Sequence, residues 1–157
     1  MIAIFSTKAE MAAAAAELAA RTLSAQPSPR ILFPTGSTPL GEDGFFAALA
    51  RMRAGRGLPT ERIRLVGGDE YGGIPKSNPG SFASYAQRNV VAPLGLDPAE
   101  CLLLDGAATD AALECAAFEA SLRHDPLALA VLGLGTNGHV AFNDPPSLGT
   151  SRTRELR

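Results

Sequence analysis

His139 is one of two histidines in this 157-residue chain. It stands in a run from Leu132 to Pro145 that glycines punctuate at positions 133, 135 and 138. Histidine exchanges protons near neutral pH, and a neighbouring acceptor decides which ring nitrogen carries the proton. Asn137 and Asp144 flank it and are the residue types that hold an imidazole in one tautomer. Gly135 and Gly138 let the backbone approach a ligand closely and are candidates for substrate binding. A histidine satisfied by backbone is the competing reading; three glycines and a strand just before them favour proton chemistry.

Two earlier loops carry further candidates. Asp69 and Glu70 follow Gly67 and Gly68 at the end of a short apolar run. Adjacent carboxylates on an extended segment point to opposite sides, so one of the two is expected to face a site. In a partly desolvated pocket its pKa rises, and it can take a proton from a carbon next to a carbonyl. A helix cap or surface pair competes with this, and the two glycines favour a site. The third loop is Thr35-Gly36-Ser37-Thr38, where small residues and hydroxyls suit an anion approached by backbone N–H groups. No lysine follows the glycine as a Walker motif requires. Phosphate cradle and ordinary strand-to-helix turn stay open there.

The elements that must position these loops are strands alternating with helices. Ile2–Phe5, Arg30–Phe33, Ile63–Val66, Cys101–Leu104 and Leu127–Leu132 read as strands, the last buried on both faces. Helices are expected over Lys8–Gln26, Phe45–Met52, Ser81–Val91 and Ala108–Leu122, with Ser81 as a cap and Asp110 near the start of the last. Met11, Leu18 and Leu23 form the expected apolar stripe of the first helix. Gly72–Gly80 is a loop. This alternation implies one α/β domain with a mainly parallel sheet and all three chemical loops at its carboxyl edge. Nothing after Asp144 reads as a strand or helix, so the sheet is expected to be incomplete at the C-terminus.

Composition bounds the partners. Hydrophobic content of 46% and charged content of 19% suit a soluble globular domain, and a formal net charge of -2 with no long basic block argues against a nucleic-acid partner. No apolar stretch reaches the ~20 residues that cross a bilayer, and the N-terminus lacks a signal peptide's basic lead. Cys101 and Cys115 form no metal-ligand spacing and are expected to be buried and reduced, which makes cytoplasm the default compartment. His124 stands at a helix end and receives no chemical role. Arg152 and Arg154 alternate with Ser151 and Thr153, and phosphate binding and a solvated tail are equally open for them.

The three loops in this order resemble the glucosamine-6-phosphate deaminase (isomerase) family, whose superfamily includes the 6-phosphogluconolactonases. The resemblance rests on Pro34 to Pro39, on Asp69-Glu70-Tyr71 with Gly73, on Gly133 to Pro145 and on Ser151 to Arg154. Tyr71 and Phe142-Asn143 are similar to the deaminase branch. It implies a Rossmann-like three-layer fold, of which residues 1–157 are the N-terminal part, with further chain supplying a phosphate-binding Arg and Lys and completing the sheet. It also implies ring opening of glucosamine 6-phosphate, isomerisation and release of ammonia to give fructose 6-phosphate. Asp69 matches the family's enolisation base and His139 its ring-opening acid/base. Asn137 stands where members carry Asp or Asn, and Asp144 where they carry Glu, one methylene longer. Thr35, Gly36, Ser37 and Thr38 match the loop that holds the sugar phosphate. No metal or organic cofactor is implied. The partner is a small sugar phosphate, without nucleic acid or membrane, and a homo-oligomer is compatible with this. Leu156 stands where a basic residue accompanies Arg154 in allosteric members, so allostery is not implied. The alternatives are a galactosamine-6-phosphate deaminase, a 6-phosphogluconolactonase, a non-catalytic sugar-phosphate-binding domain and an inactive fragment.

Overall fold

The computed structural model describes residues 2–156. Three strands, β1 (Arg30–Leu32), β2 (Arg64–Val66) and β3 (Leu129–Ala130), form a parallel sheet in the order β2-β1-β3. Ile31 pairs with Leu65 on one side and Leu129 on the other. Both faces of the sheet are covered. Ile31 and Leu65 join the main core, while Val66, which alternation turns to the opposite face, is equally buried. The fold is α/β with a parallel sheet, as the residue pattern implies, and Rossmann-like, as the resemblance implies.

The first helix, α1 (Lys8–Ala25), starts in a reciprocal cap: the Thr7 side chain accepts from the Glu10 N–H and the Glu10 carboxylate accepts from the Thr7 N–H. Its buried residues are Ala12, Ala16, Ala19, Ala20 and Leu23, and Met11 and Leu18 of the expected stripe are exposed. The alanines recur at helical spacing, and their small side chains let α1 lie close against α2 (Phe45–Arg56). That helix runs past the expected end at Met52, since one glycine, Gly55, is tolerated inside it. Gly57 ends it at φ 64°, a left-handed turn that glycine adopts without strain.

Ser81 caps α3 (Phe82–Ala86), accepting from the Ser84 N–H. The helix then continues beyond the expected limit at Val91, through a π turn (Gln87–Val91) into α4 (Ala92–Leu94). Pro93, which cannot donate back along an α-helical ladder, accounts for the widened turn. The last helix, α5 (Ala111–His124), begins later than Ala108 because Asp110 caps it, accepting from the Leu113 N–H. Its far end is tied to the amino edge of the sheet, where Arg30 and Arg64 both pair with Asp125.

Three strand expectations are corrected. Ile2–Phe5 forms no strand: both sides of β1 are occupied by β2 and β3, the segment meets no ladder, and Ile2 and Ile4 are 92% exposed. Cys101–Leu104 reduces to one bridge, Leu102 beside Val66, and Cys101 ends a short 3-10 turn (Pro98–Glu100) instead. Leu127–Leu132 is not buried on both faces. Only Leu129–Ala130 joins the ladder, and Leu132 is 52% exposed, because β3 is paired on one side alone. Cys101 and Cys115 are unpaired and half-buried, not buried. Among the described residues no helix or strand follows β3.

Candidate active site

All three strands end at one edge, and the loops leaving them face a single open cleft. Thr35, Gly36, Thr38, Asp69, His139 and Asp144 line it, together with Gly135, Tyr71, Phe82 and Phe142. Ser37, Asn137 and Gly138 lie in the same loops without lining it. The edge is where open parallel sheets place ligands.

Asp69 and Glu70 point apart, and their partners show why. The Glu70 carboxylate accepts from the N–H groups of Tyr71, Phe82 and Ala83, each at 2.9 Å, and so caps the helix that Ser81 opens. Two of these charge-assisted bonds, from Phe82 and Ala83, fix this loop to α3. Gly73 donates to the Gly106 carbonyl at 2.7 Å, and a side chain at Gly106 would strike the Tyr71 carbonyl at 2.1 Å. Asp69 is thereby turned into the cleft. Behind it lies a small apolar pocket walled by Phe33, Leu65, Val66 and Val90. Burial pushes the Asp69 pKa above the ordinary carboxylate value; the Thr35 hydroxyl, donating at 3.3 Å, pulls it part of the way back, and the Glu70 charge adds to the rise. A carboxylate so placed is a stronger base than one in water.

His139 is held by its own loop. Its backbone N–H donates to Asn137 Oδ1 at 3.1 Å, which identifies that atom as the acceptor. His139 Nδ1 lies 2.7 Å from the same oxygen and therefore carries a proton. Asn137 is oriented in turn by Asp144, whose Oδ1 accepts from Nδ2 at 2.9 Å. The shorter side chain of Asp144 leaves it 3.8 Å from His139 Nδ1, and its influence passes through the asparagine. In the neutral ring this tautomer makes Nε2 the acceptor. Gly135 packs against the flat of the imidazole: a Cβ there would fall 2.1 to 2.4 Å from ring atoms. Gly138, at φ +89°, allows the turn in which its N–H donates to the Gly135 carbonyl.

Three aromatic rings join the two loops. Tyr71 stacks on Phe82 at 5.0 Å, and Phe142 meets them at 5.4 and 5.6 Å. Such pairs contribute about 0.5–1.5 kcal/mol beyond their buried area. Phe82 and Tyr85, whose hydroxyl bonds the Gly36 carbonyl, were not singled out by motif reading; their i, i+3 spacing directly after the Ser81 cap is the signal that places both on one helix face. Arg152 and Arg154 do not line the cleft. Arg152 pairs with Glu119 on α5, and Arg154 bonds the Arg152 carbonyl and Ser147.

The family of glucosamine-6-phosphate isomerases/6-phosphogluconolactonase matches residues 6–154, and the chain belongs to it. Glucosamine-6-phosphate deaminase 2 of Bos taurus is 39% identical over 122 residues, which are 77% of this chain and 43% of the relative. Glucosamine-6-phosphate deaminase of Cutibacterium acnes is 39% identical over 141 residues, 89% of this chain and 53% of the relative. The chain thus spans about half the length of these curated relatives. A solved monomeric glucosamine-6-phosphate deaminase superposes with a TM-score of 0.85 at 29% identity, over 93% of this chain and 60% of that one. The 6-phosphogluconolactonase of Thermotoga maritima shares the fold, with a TM-score of 0.63 at 17% identity over 83% of this chain and 59% of that one.

Proposed function

We propose that this chain carries the acid–base centre of an amino-sugar-phosphate deaminase that converts glucosamine 6-phosphate and water to fructose 6-phosphate and ammonia. The observation that carries the reading is the pairing, across one cleft, of a base raised by burial, Asp69, with an imidazole held in one tautomer, His139. The printed activity of the relatives supports the deaminase branch.

In this mechanism His139 Nε2 takes the proton of the anomeric hydroxyl and protonates the ring oxygen, which opens the sugar. Asn137 and Asp144 keep Nδ1 protonated meanwhile. The Asp69 carboxylate then removes the proton from C2, next to the exposed aldehyde, and returns it to C1 while a proton passes from the amino group to O1. That leaves an imine at C2, which water hydrolyses to the ketone with loss of ammonia. Gly135 backs the imidazole and Thr35 tunes Asp69. Thr35 to Thr38 receive the phosphate. The compartment proposed is the cytoplasm, in keeping with two unpaired cysteines.

The test is ammonia release from glucosamine 6-phosphate by the purified chain, with galactosamine 6-phosphate and 6-phosphogluconolactone in parallel. Ammonia from the first substrate is the expected result. Lactone hydrolysis alone moves the chain to the other branch. Binding of sugar phosphate without turnover makes it a binding domain.

A further inference from the structure

The turn Thr35–Thr38 is held from two sides. At its start the Thr35 hydroxyl donates to Asp69 Oδ1 at 3.3 Å, and one residue later the Tyr85 hydroxyl donates to the Gly36 carbonyl at 2.7 Å. Tyr85 sits in the apolar pocket behind Asp69, whereas Gly36 lines the open cleft. The Gly36 carbonyl is therefore drawn back from the cleft. In a planar trans peptide the N–H opposes the C=O, so the Ser37 N–H is turned away from Tyr85. Gly36 stands at φ +127°, a conformation that side-chain-bearing residues rarely adopt, and nothing lies within 4 Å of where its Cβ would be. Among the described residues the N–H groups of Gly36, Ser37 and Thr38 have no hydrogen-bond partner. Successive free N–H groups in a turn make a concavity for an anion. No Lys or Arg is among the described residues lining the cleft, so the backbone and hydroxyl donors of this turn carry much of what attraction the chain offers a phosphate there.

We propose that Tyr85 is a positioning residue for phosphate recognition: its hydroxyl holds the Gly36 carbonyl back and so keeps the Gly36, Ser37 and Thr38 N–H groups open to the phosphoryl oxygens of the substrate. This deepens the reading of the cleft as a sugar-phosphate site and rests on it. If the hydroxyl is lost, the Gly36–Ser37 peptide is free to rotate and bring a carbonyl oxygen toward the anion. A repulsive acceptor then replaces a donor. Burial pushes the Tyr85 pKa up, so the hydroxyl keeps its proton and stays a donor throughout the neutral range.

The variant is Tyr85→Phe, which removes one oxygen and leaves the ring packed; the thermal midpoint checks that the fold persists. Inorganic phosphate is titrated into isotope-labelled chain, and the amide signals of residues 36–38 are followed. In the wild type these three amides are expected to shift. In Tyr85→Phe the affinity is expected to fall about three- to tenfold, the range one hydrogen bond commands. With glucosamine 6-phosphate, KM rises by the same factor and kcat holds within about twofold, the pattern of lost uniform binding. Equal phosphate affinity and equal amide shifts in the two proteins overturn the role of Tyr85 alone. Wild-type amides indifferent to phosphate overturn the sugar-phosphate reading itself, and this inference with it.

Discussion

The loops that carry Asp69 and His139 face the same cleft and are built in opposite ways. The Asp69 loop is fastened to distant parts of the chain: Glu70 to the start of α3, Gly73 to Gly106, and Asp69 itself to Thr35. The polar bonds of the His139 loop stay within it, in the Asn137–Asp144 bond and the Gly135–His139 backbone pair, and Phe142 packs it on Tyr71 and Phe82. It leaves an edge strand with one free side, and Leu132 and Leu134 before it are exposed. The teaching is that a base needs burial to be strong, which only the core supplies. An imidazole needs a fixed tautomer, which a short loop supplies alone.

The largest blow to this contrast is Asp69→Asn. Turnover is expected to fall by about 10²–10⁴-fold, the usual worth of a general base, with sugar-phosphate binding retained. Ammonia release and equilibrium binding on the same preparation read the two effects. Stability moves the other way. The folded pKa of Asp69 lies above its unfolded value, so ionisation costs folding free energy as pH rises through that window. The Asn variant is thus expected to melt higher than wild type at neutral pH, and the difference should vanish below about pH 4, where both states are protonated.

Gly135→Ala strikes the other loop. A methyl group 2.1 Å from the imidazole must push the ring aside, and misplacement on that scale costs about 100-fold in turnover. The ring nitrogen signals of His139 should shift with it while Asp69 keeps its titration. Turnover unchanged with ring signals unmoved would show that the loop gives way more easily than its geometry says.

Glu70→Ala tests whether the Asp69 loop depends on remote anchors. Loss of the helix cap is expected to cost about 1–2 kcal/mol in urea unfolding. The corresponding change in the self-contained loop, Asp144→Ala, should leave urea stability within about 0.5 kcal/mol, as surface substitutions do. The smallest effect comes from Thr35→Val. Its hydroxyl favours the ionised form of Asp69, so its removal raises that pKa further. The acid limb of the pH–rate profile should move upward, because the base must be ionised to act.

Much of this contrast was legible in the residues. Asp69 and Glu70 had to diverge, since neighbours on extended backbone do, and the structure gives one to the cleft and the other to a helix cap. The glycine-rich run around His139 announced a tight turn after a strand. What was not legible depends on neighbours. Ile2–Phe5 has a strand's pattern and joins no ladder. Met11 and Leu18 have an apolar stripe's spacing, yet the alanine face wins because it allows a closer helix pair. Tyr85 acts through a hydroxyl brought to a backbone carbonyl from 49 positions away, a contact that no local pattern encodes.

The Asn137 oxygen that receives two bonds from His139 has one more consequence. With Nδ1 tethered, the imidazole is a proton exchanger with a single port. In the proposed reaction the proton taken from one oxygen of the sugar and the proton given to the other would pass through the same nitrogen in turn, with no relay between the two ring nitrogens. Ring opening by that route would admit return of the original proton before solvent replaces it, so part of the hydrogen delivered should carry the memory of where it came from.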